Sequence, residues 1–229
     1  MRLDKASPKA IRYAVMNWHY SKTVPQPGLA YSVFEGSEFC GVVCFNLGVN
    51  GIESPFNLPK GTVIELSRVA LNNKQQATSQ VVAIALRLVK KDVPLCDIVV
   101  SYADSDQGHY GTIYQASNWT FVGSKKTVPK WVNPETGESV HNRSVDRRGY
   151  NVQFGKRKKC SKPEGLVKVP SGVKHKYCYA LSKTGKRILQ GMAKAYPKPA
   201  HEAKGDEAPT TSGEKGGAGP TRALNKVIK

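Results

Sequence analysis

Residues 102–119 read YADSDQGHYGTIYQASNW and crowd Asp104, Asp106 and His109 into one short stretch. All three can accept or donate protons, and Tyr110 and Tyr114 follow at helical (i, i+4) spacing. A strand ending at Tyr102 and a helix beginning near Gly108 would put this cluster at the carboxyl end of a central strand, where α/β proteins place ligands. Asp104 then serves as hydrogen-bond acceptor or base, and Tyr114 as acid or orienter. Asp106 reads as a helix N-cap and Tyr110 as packing.

Two further constellations have chemical potential. His19 and Tyr20, in Trp18-His19-Tyr20-Ser21-Lys22, sit where a first helix would end; a histidine there is either a helix-terminal cation or part of a site. Arg68 lies in TVIELSRVAL, where strict alternation turns Glu65, Ser67 and Val69 one way and Leu66 and Arg68 the other. A guanidinium in an apolar strand is costly without an anionic partner, and Asp104 or a substrate phosphate could supply it. Cys40 and Cys44 should share one side of a strand, and His175 with Cys178 lacks a second cysteine pair, so structural zinc is not expected. A mononuclear metal site from His19, Tyr20 and Asp104 is chemically feasible.

The elements that would hold these residues alternate. Pro8 to Tyr20 reads as a helix, with Ser7 as N-cap and Ile11, Val15 and Trp18 on one face. Leu29–Glu35 and Phe39–Leu47 read as a hairpin around Gly36-Ser37, and Thr62–Leu71 as a third strand. Ala77–Lys91 is apolar nearly all round and reads as a buried helix. Asp97–Tyr102 reads as a central strand, Gly108–Ser117 as a short helix and Trp119–Gly123 as another strand. Two βαβ-like units joined to a hairpin give an α+β fold, a mixed sheet flanked by helices. Further on, KRKKCSK reads as a solvated loop and residues 175–182, HKYCYALS, as a late strand. Residues 1–196 are expected to form one domain, and 197–229, rich in Pro, Gly, Ala and Thr, a disordered tail.

Charge is the other signal. The chain has 229 residues, 35 Lys+Arg against 17 Asp+Glu, and a net charge of +18. Residues 1–120 hold 11 basic and 9 acidic side chains, whereas residues 121–196 hold 18 and 4. So local an excess points to a polyanion, nucleic acid first. Lys125, Lys126, Arg143, Arg147, Arg148, Lys156, Arg157, Lys158 and Lys159 are the candidate phosphate contacts. Trp131 is either a stacking residue or core. No apolar stretch is long enough to cross a membrane, the first residues lack a signal-peptide core, and five cysteines without an export signal fit reduced thiols.

WHYSK, ELSRVAL, YADSDQGHYGTIYQASNW, VHNRS and KHKYCYAL, in this order over residues 8–185, resemble the Mom DNA-modification proteins of Mu-like bacteriophages, divergent members of the GNAT-type acyltransferase superfamily. The resemblance implies a GNAT-like fold. It implies conversion of adenine in double-stranded DNA to N6-carbamoylmethyladenine in the host cytoplasm, shielding phage DNA from restriction. It assigns the active site to His19, Tyr20, Arg68, Ser79, Asp104 and Tyr114. In ordinary GNAT enzymes a glycine-rich loop before the long helix holds the CoA pyrophosphate. The matching stretch here runs Lys74, Gln75, Gln76, Ala77, Thr78, Ser79. Small residues replace both glycines, and the helix N-terminus remains an anion site for an acyl-CoA-like or other activated donor. An ordinary GNAT acetyltransferase and a non-catalytic DNA-binding protein are the alternatives.

Overall fold

A computed structural model describes residues 1–140, 145–153 and 155–198. Contacts divide the chain into Met1–Pro197 and Lys198–Lys229. The tail expected over 197–229 lies, from residue 199 onward, outside the described residues, as does Arg143.

In chain order the elements are β1 (Arg2–Lys5), α1 (Pro8–Trp18), β2 (Leu29–Glu35), β3 (Glu38–Asn46), β4 (Val63–Leu71), α2 (Thr78–Asp92), β5 (Ile98–Asp104), α3 (Thr112–Gln115), β6 (Thr120–Lys126), β7 (Lys130–Val132), β8 (Ser139–Val140), β9 (Tyr150–Gln153), β10 (Lys156–Lys159), β11 (Val167–Val169), β12 (Val173–Ala180) and α4 (Lys183–Gln190). The result is the expected α+β architecture. Seven strands form one mixed sheet in the order β1-β2-β3-β4-β5-β12-β6. Its neighbours are antiparallel except for the parallel pair β4–β5, which is joined by α2.

Helices cover both faces of the sheet. Ser7 caps α1 by accepting from the Ala10 N–H, and Pro8 occupies its first turn. Ile11, Ala14 and Val15 of α1 are buried with Ala30, Val42, Cys44 and Ala70. On the opposite face α2 buries Val81, Val82, Ala85, Leu86 and Val89 against Tyr31, Phe45, Ile64 and Val99. α4 packs Leu189 beside Val63, Ile98 and Val100.

The structure corrects five local expectations. The second βαβ unit is interrupted, because β12 lies between β5 and β6 and is antiparallel to both. The helix expected over 108–117 breaks into a 3-10 turn, Ser105–Gln107, and the short α3, because Gly108 (φ 68°) and Gly111 (φ 83°) are left-handed. The basic run at 156–159 is a strand, β10, rather than a loop. Cys40 and Cys44 face opposite sides: the register shifts between Val33 and Phe34, and Cys40 packs with the α2 layer while Cys44 packs with α1. β4 is also bulged, its pairing with β3 shifting between Cys44 and Phe45. The shift leaves Ser67 outside the paired register, so Arg68 shares a face with Ala70, on the α1 side, instead of with Leu66 on the α2 side.

Candidate active site

β4 and β5 pair only over Val63–Glu65 and Ile98–Val100. Past that point β4 continues against β3 and β5 against β12. One further tie, from Ser101 Oγ to the Leu66 carbonyl at 2.8 Å, marks where the two strands part. A cleft of about 490 Å³ opens there. His19, Tyr20, Arg68, Asp104 and Tyr114 all line it. Of the four residues expected to hold a donor, Thr78 lines the cleft and Lys74, Ala77 and Ser79 do not.

His19 ends α1. Its Nδ1 accepts from the Ser21 backbone N–H at 3.1 Å, so the neutral ring carries its proton on Nε2. Burial, then the charges of Arg68, His109 and Lys22, push its pKa down to about 4. At neutral pH it is therefore an uncharged N–H donor. The Tyr20 ring stacks on it at 4.4 Å and meets His109 at 5.8 Å. Burial and the Asp104 carboxylate raise the Tyr20 pKa, keeping its hydroxyl protonated.

Asp104 closes β5 and caps the 3-10 turn, its Oδ1 accepting from the Asp106 N–H at 3.1 Å. The other oxygen, Oδ2, has no protein partner among the described residues. Asp106, expected to be the N-cap, has a different task. Its carboxylate takes the Lys130 ammonium, the Ser171 hydroxyl at 3.0 Å and the Gly172 N–H at 2.6 Å.

Arg68 makes no ion pair with Asp104 among the described residues. Its Nη1 donates to the Ser67 carbonyl at 2.7 Å, and its Nε is buried without a partner. The cation that β12 places opposite Asp104 in register is Lys174, which also lines the cleft. Sequence reasoning missed Lys174 and Ser101, which gain their positions only through long-range strand pairing.

Tyr114 lies in the aromatic core, 8% exposed, with rings of Trp119 and Tyr177 at 5.0 and 5.2 Å. Ser101 gives its only proton to Leu66, so the Tyr114 hydroxyl donates to Ser101 Oγ at 2.8 Å. Burial pushes the phenol up to about 12. Tyr114 is therefore a packed, protonated phenol in the cleft wall, its proton committed to Ser101. Cys44, beside Arg68 in register, is likewise pushed up to about 12 by burial and stays a thiol. Among the described residues no three His, Cys, Asp or Glu side chains gather as a metal site.

Residues 1–198 match the Mom protein family. The chain belongs to that family. It is similar to the methylcarbamoylase Mom of Escherichia phage Mu, 26% identical over 155 residues, which span 65% of this chain and 64% of the phage Mu protein. The chain thus covers less than two thirds of that Mom relative. Solved structures align less closely. A Bacillus subtilis acetyltransferase in complex with CoA has a TM-score of 0.47 at 12% identity, covering 79% of this chain and 99% of that one. A GNAT family acetyltransferase from Elizabethkingia anophelis with acetyl-CoA bound has a TM-score of 0.43 at 9% identity, covering 78% and 97%.

In this Mom family chain the basic candidates stand apart from the cleft lining. Lys125 and Lys126 end β6. Arg147, Arg148 and the four β10 cations are exposed and belong to the 127–172 insertion between β6 and β12. Within it, β11-β7-β8 and β10-β9 form two small sheets. Trp131 is half-buried on β7, outside the core clusters, with the Lys168 ammonium 5.1 Å above its ring. Among the described residues no helix is long and apolar enough to cross a membrane.

Proposed function

We propose that this protein is a phage DNA-modification transferase that converts adenine in duplex DNA to N6-carbamoylmethyladenine and so protects viral DNA from host restriction in the host cytoplasm. The observation that carries the reading is the unpaired Oδ2 of Asp104 in a cleft shared with His19, Tyr20 and Arg68. Membership of the Mom family supports the chemistry.

Adenine N6 is a weak nucleophile, its lone pair drawn into the ring, and inside a duplex it is paired. The base must leave the stack, at roughly a few kcal/mol, and be held by its edge. Asp104 accepts the N6–H and removes its proton as the new N6–CH2 bond forms. The donor's leaving group departs with its electron pair. Tyr20, stacked on His19, offers a flat face to the base. The His19 Nε2–H donates to a ring nitrogen or a carbonyl. Arg68, with its buried Nε unpartnered, holds an anionic or carbonyl oxygen of the donor.

The N-terminus of α2 suits an anionic group on that donor. Its N-cap is Ala77, which has no capping side chain, and Thr78 reaches the cleft. Lys74 is engaged with Glu38 at 2.6 Å. An activated donor bound there supplies the carbamoylmethyl carbon. Acetyl transfer alone would leave N6–CO–CH3, a different product.

The test is to express the protein, digest host DNA to nucleosides and search by mass spectrometry for the modified deoxyadenosine. Its appearance with the native chain and loss in a folded Asp104→Asn variant is the expected result. Full modification by Asp104→Asn removes Asp104 from the mechanism. Unmodified DNA despite soluble native protein overturns the reading, and acetyl-CoA binding would then favour an ordinary acetyltransferase over a DNA-binding protein.

A further inference from the structure

We infer that the β9–β10 ribbon is the element that enters the major groove of duplex DNA beside the target base. The inference rests on the DNA-modifying reading above and adds which element reads which groove.

The insertion between β6 and β12 contains five strands and no helix among its described residues. Groove entry by this insertion is therefore left to strands. β9 and β10 pair over four residues each, from Lys156↔Gln153 to Lys159↔Tyr150. Four residues span about 13 Å, and a two-stranded ribbon is one of the two forms the major groove admits.

The ribbon's surface is built for a polyanion. Lys156, Arg157, Lys158 and Lys159 are all exposed, and none has an acidic partner among the described residues. In register, Arg157 and Lys159 oppose Val152 and Tyr150 and share their face, while Lys156 and Lys158 occupy the other. Cations on both faces suit an element with a DNA strand on either side. The guanidinium of Arg157 lies 4.7 Å from the Tyr150 ring centre, and that of Arg148 lies 5.1 Å from the same ring. Arg148 is also held by both oxygens of Asp146, at 3.0 and 3.1 Å. The ring pre-orders Arg157, lowering the entropy cost of aiming its planar fork at a guanine edge or a phosphate. Apolar Val152 is 60% exposed on that face, suited to thymine methyl contact.

The experiment is dimethyl sulfate footprinting of the full-length protein on a duplex, with binding followed by anisotropy against salt. Dimethyl sulfate methylates guanine N7 in the major groove and adenine N3 in the minor groove. Protection of N7 with N3 left reactive is expected. The variant K156Q/R157Q/K158Q/K159Q should lose that protection, bind at least tenfold more weakly and show a shallower salt slope. An RNA duplex of the same sequence should bind more weakly, its deep, narrow major groove excluding the ribbon. N3 protection with N7 reactive, or unchanged affinity in a folded variant, overturns the inference while leaving the DNA-modifying reading intact. If the variant fails to fold, the footprint of the native chain alone decides. A native chain that neither binds duplex nor yields modified deoxyadenosine overturns both.

Discussion

His19 shows how far a residue's neighbourhood departs from its type. A histidine at a helix end reads as a cation, yet burial and three nearby positive groups hold this one near pKa 4. Its pKa is lower in the folded protein than in the unfolded chain, where it is about 6.5. Between these values the unfolded state binds a proton that the native state refuses, so stability falls as pH drops from about 6.5 toward 4. Denaturant midpoints measured across that range should decline for the native chain and decline less for His19→Gln. Activity should show no inflection near pH 6.5 from this residue, since it stays a neutral donor throughout. Asp106 illustrates a second lesson. It was legible as an acid in a turn, but its use, fastening Lys130, Ser171 and Gly172, depends on residues 24 to 66 positions away.

At the scale of elements, the site depends on two departures from regularity. The bulge at Ser67 turns Arg68 toward α1 and His19. Deleting Ser67 removes the extra residue and leaves Arg68 opposite Cys44 on the α1 side, so the melting temperature should change little, whereas loss of the Ser67 carbonyl that holds the guanidinium should lower modification. Gly111 is left-handed, and a methyl group there would run into the Tyr177 ring. Gly111→Ala should therefore cost about 1–3 kcal/mol in denaturant unfolding and disturb Tyr110 and Tyr114 on either side. Neither feature was readable beforehand. β4 is covered on both faces, burying Val63, Ile64, Leu66 and Ala70; its sequence has no apolar–polar alternation for a bulge to interrupt. What was readable was the gathering of His19, Tyr20, Arg68 and Asp104, because strand ends and helix ends in a mixed sheet converge. Lys174 and Ser101 were not, since the intercalation of β12 between β5 and β6 is a matter of topology and leaves no local pattern.

At the scale of the molecule, charge and chemistry occupy different stretches of chain. The near-neutral first 120 residues supply most of the cleft, and the strongly basic 121–196 supply the exposed cations. If about six phosphates are neutralised, the logarithm of DNA affinity should fall against the logarithm of salt with a slope near −5. A flat dependence would detach the basic segment from DNA. The 127–172 insertion joins the sheet at a narrow neck, where the Thr127 N–H and hydroxyl both reach the Gly172 carbonyl, at 3.1 and 3.0 Å. The 46 residues from Thr127 to Gly172 thus leave and rejoin the sheet at nearly one point, while Lys126 and Val173 remain paired. A segment entered and left through one doorway can be lengthened, shortened or exchanged for another without moving a strand. Under the proposed function, rewriting this one loop would retarget the enzyme to new DNA and leave its cleft as inherited.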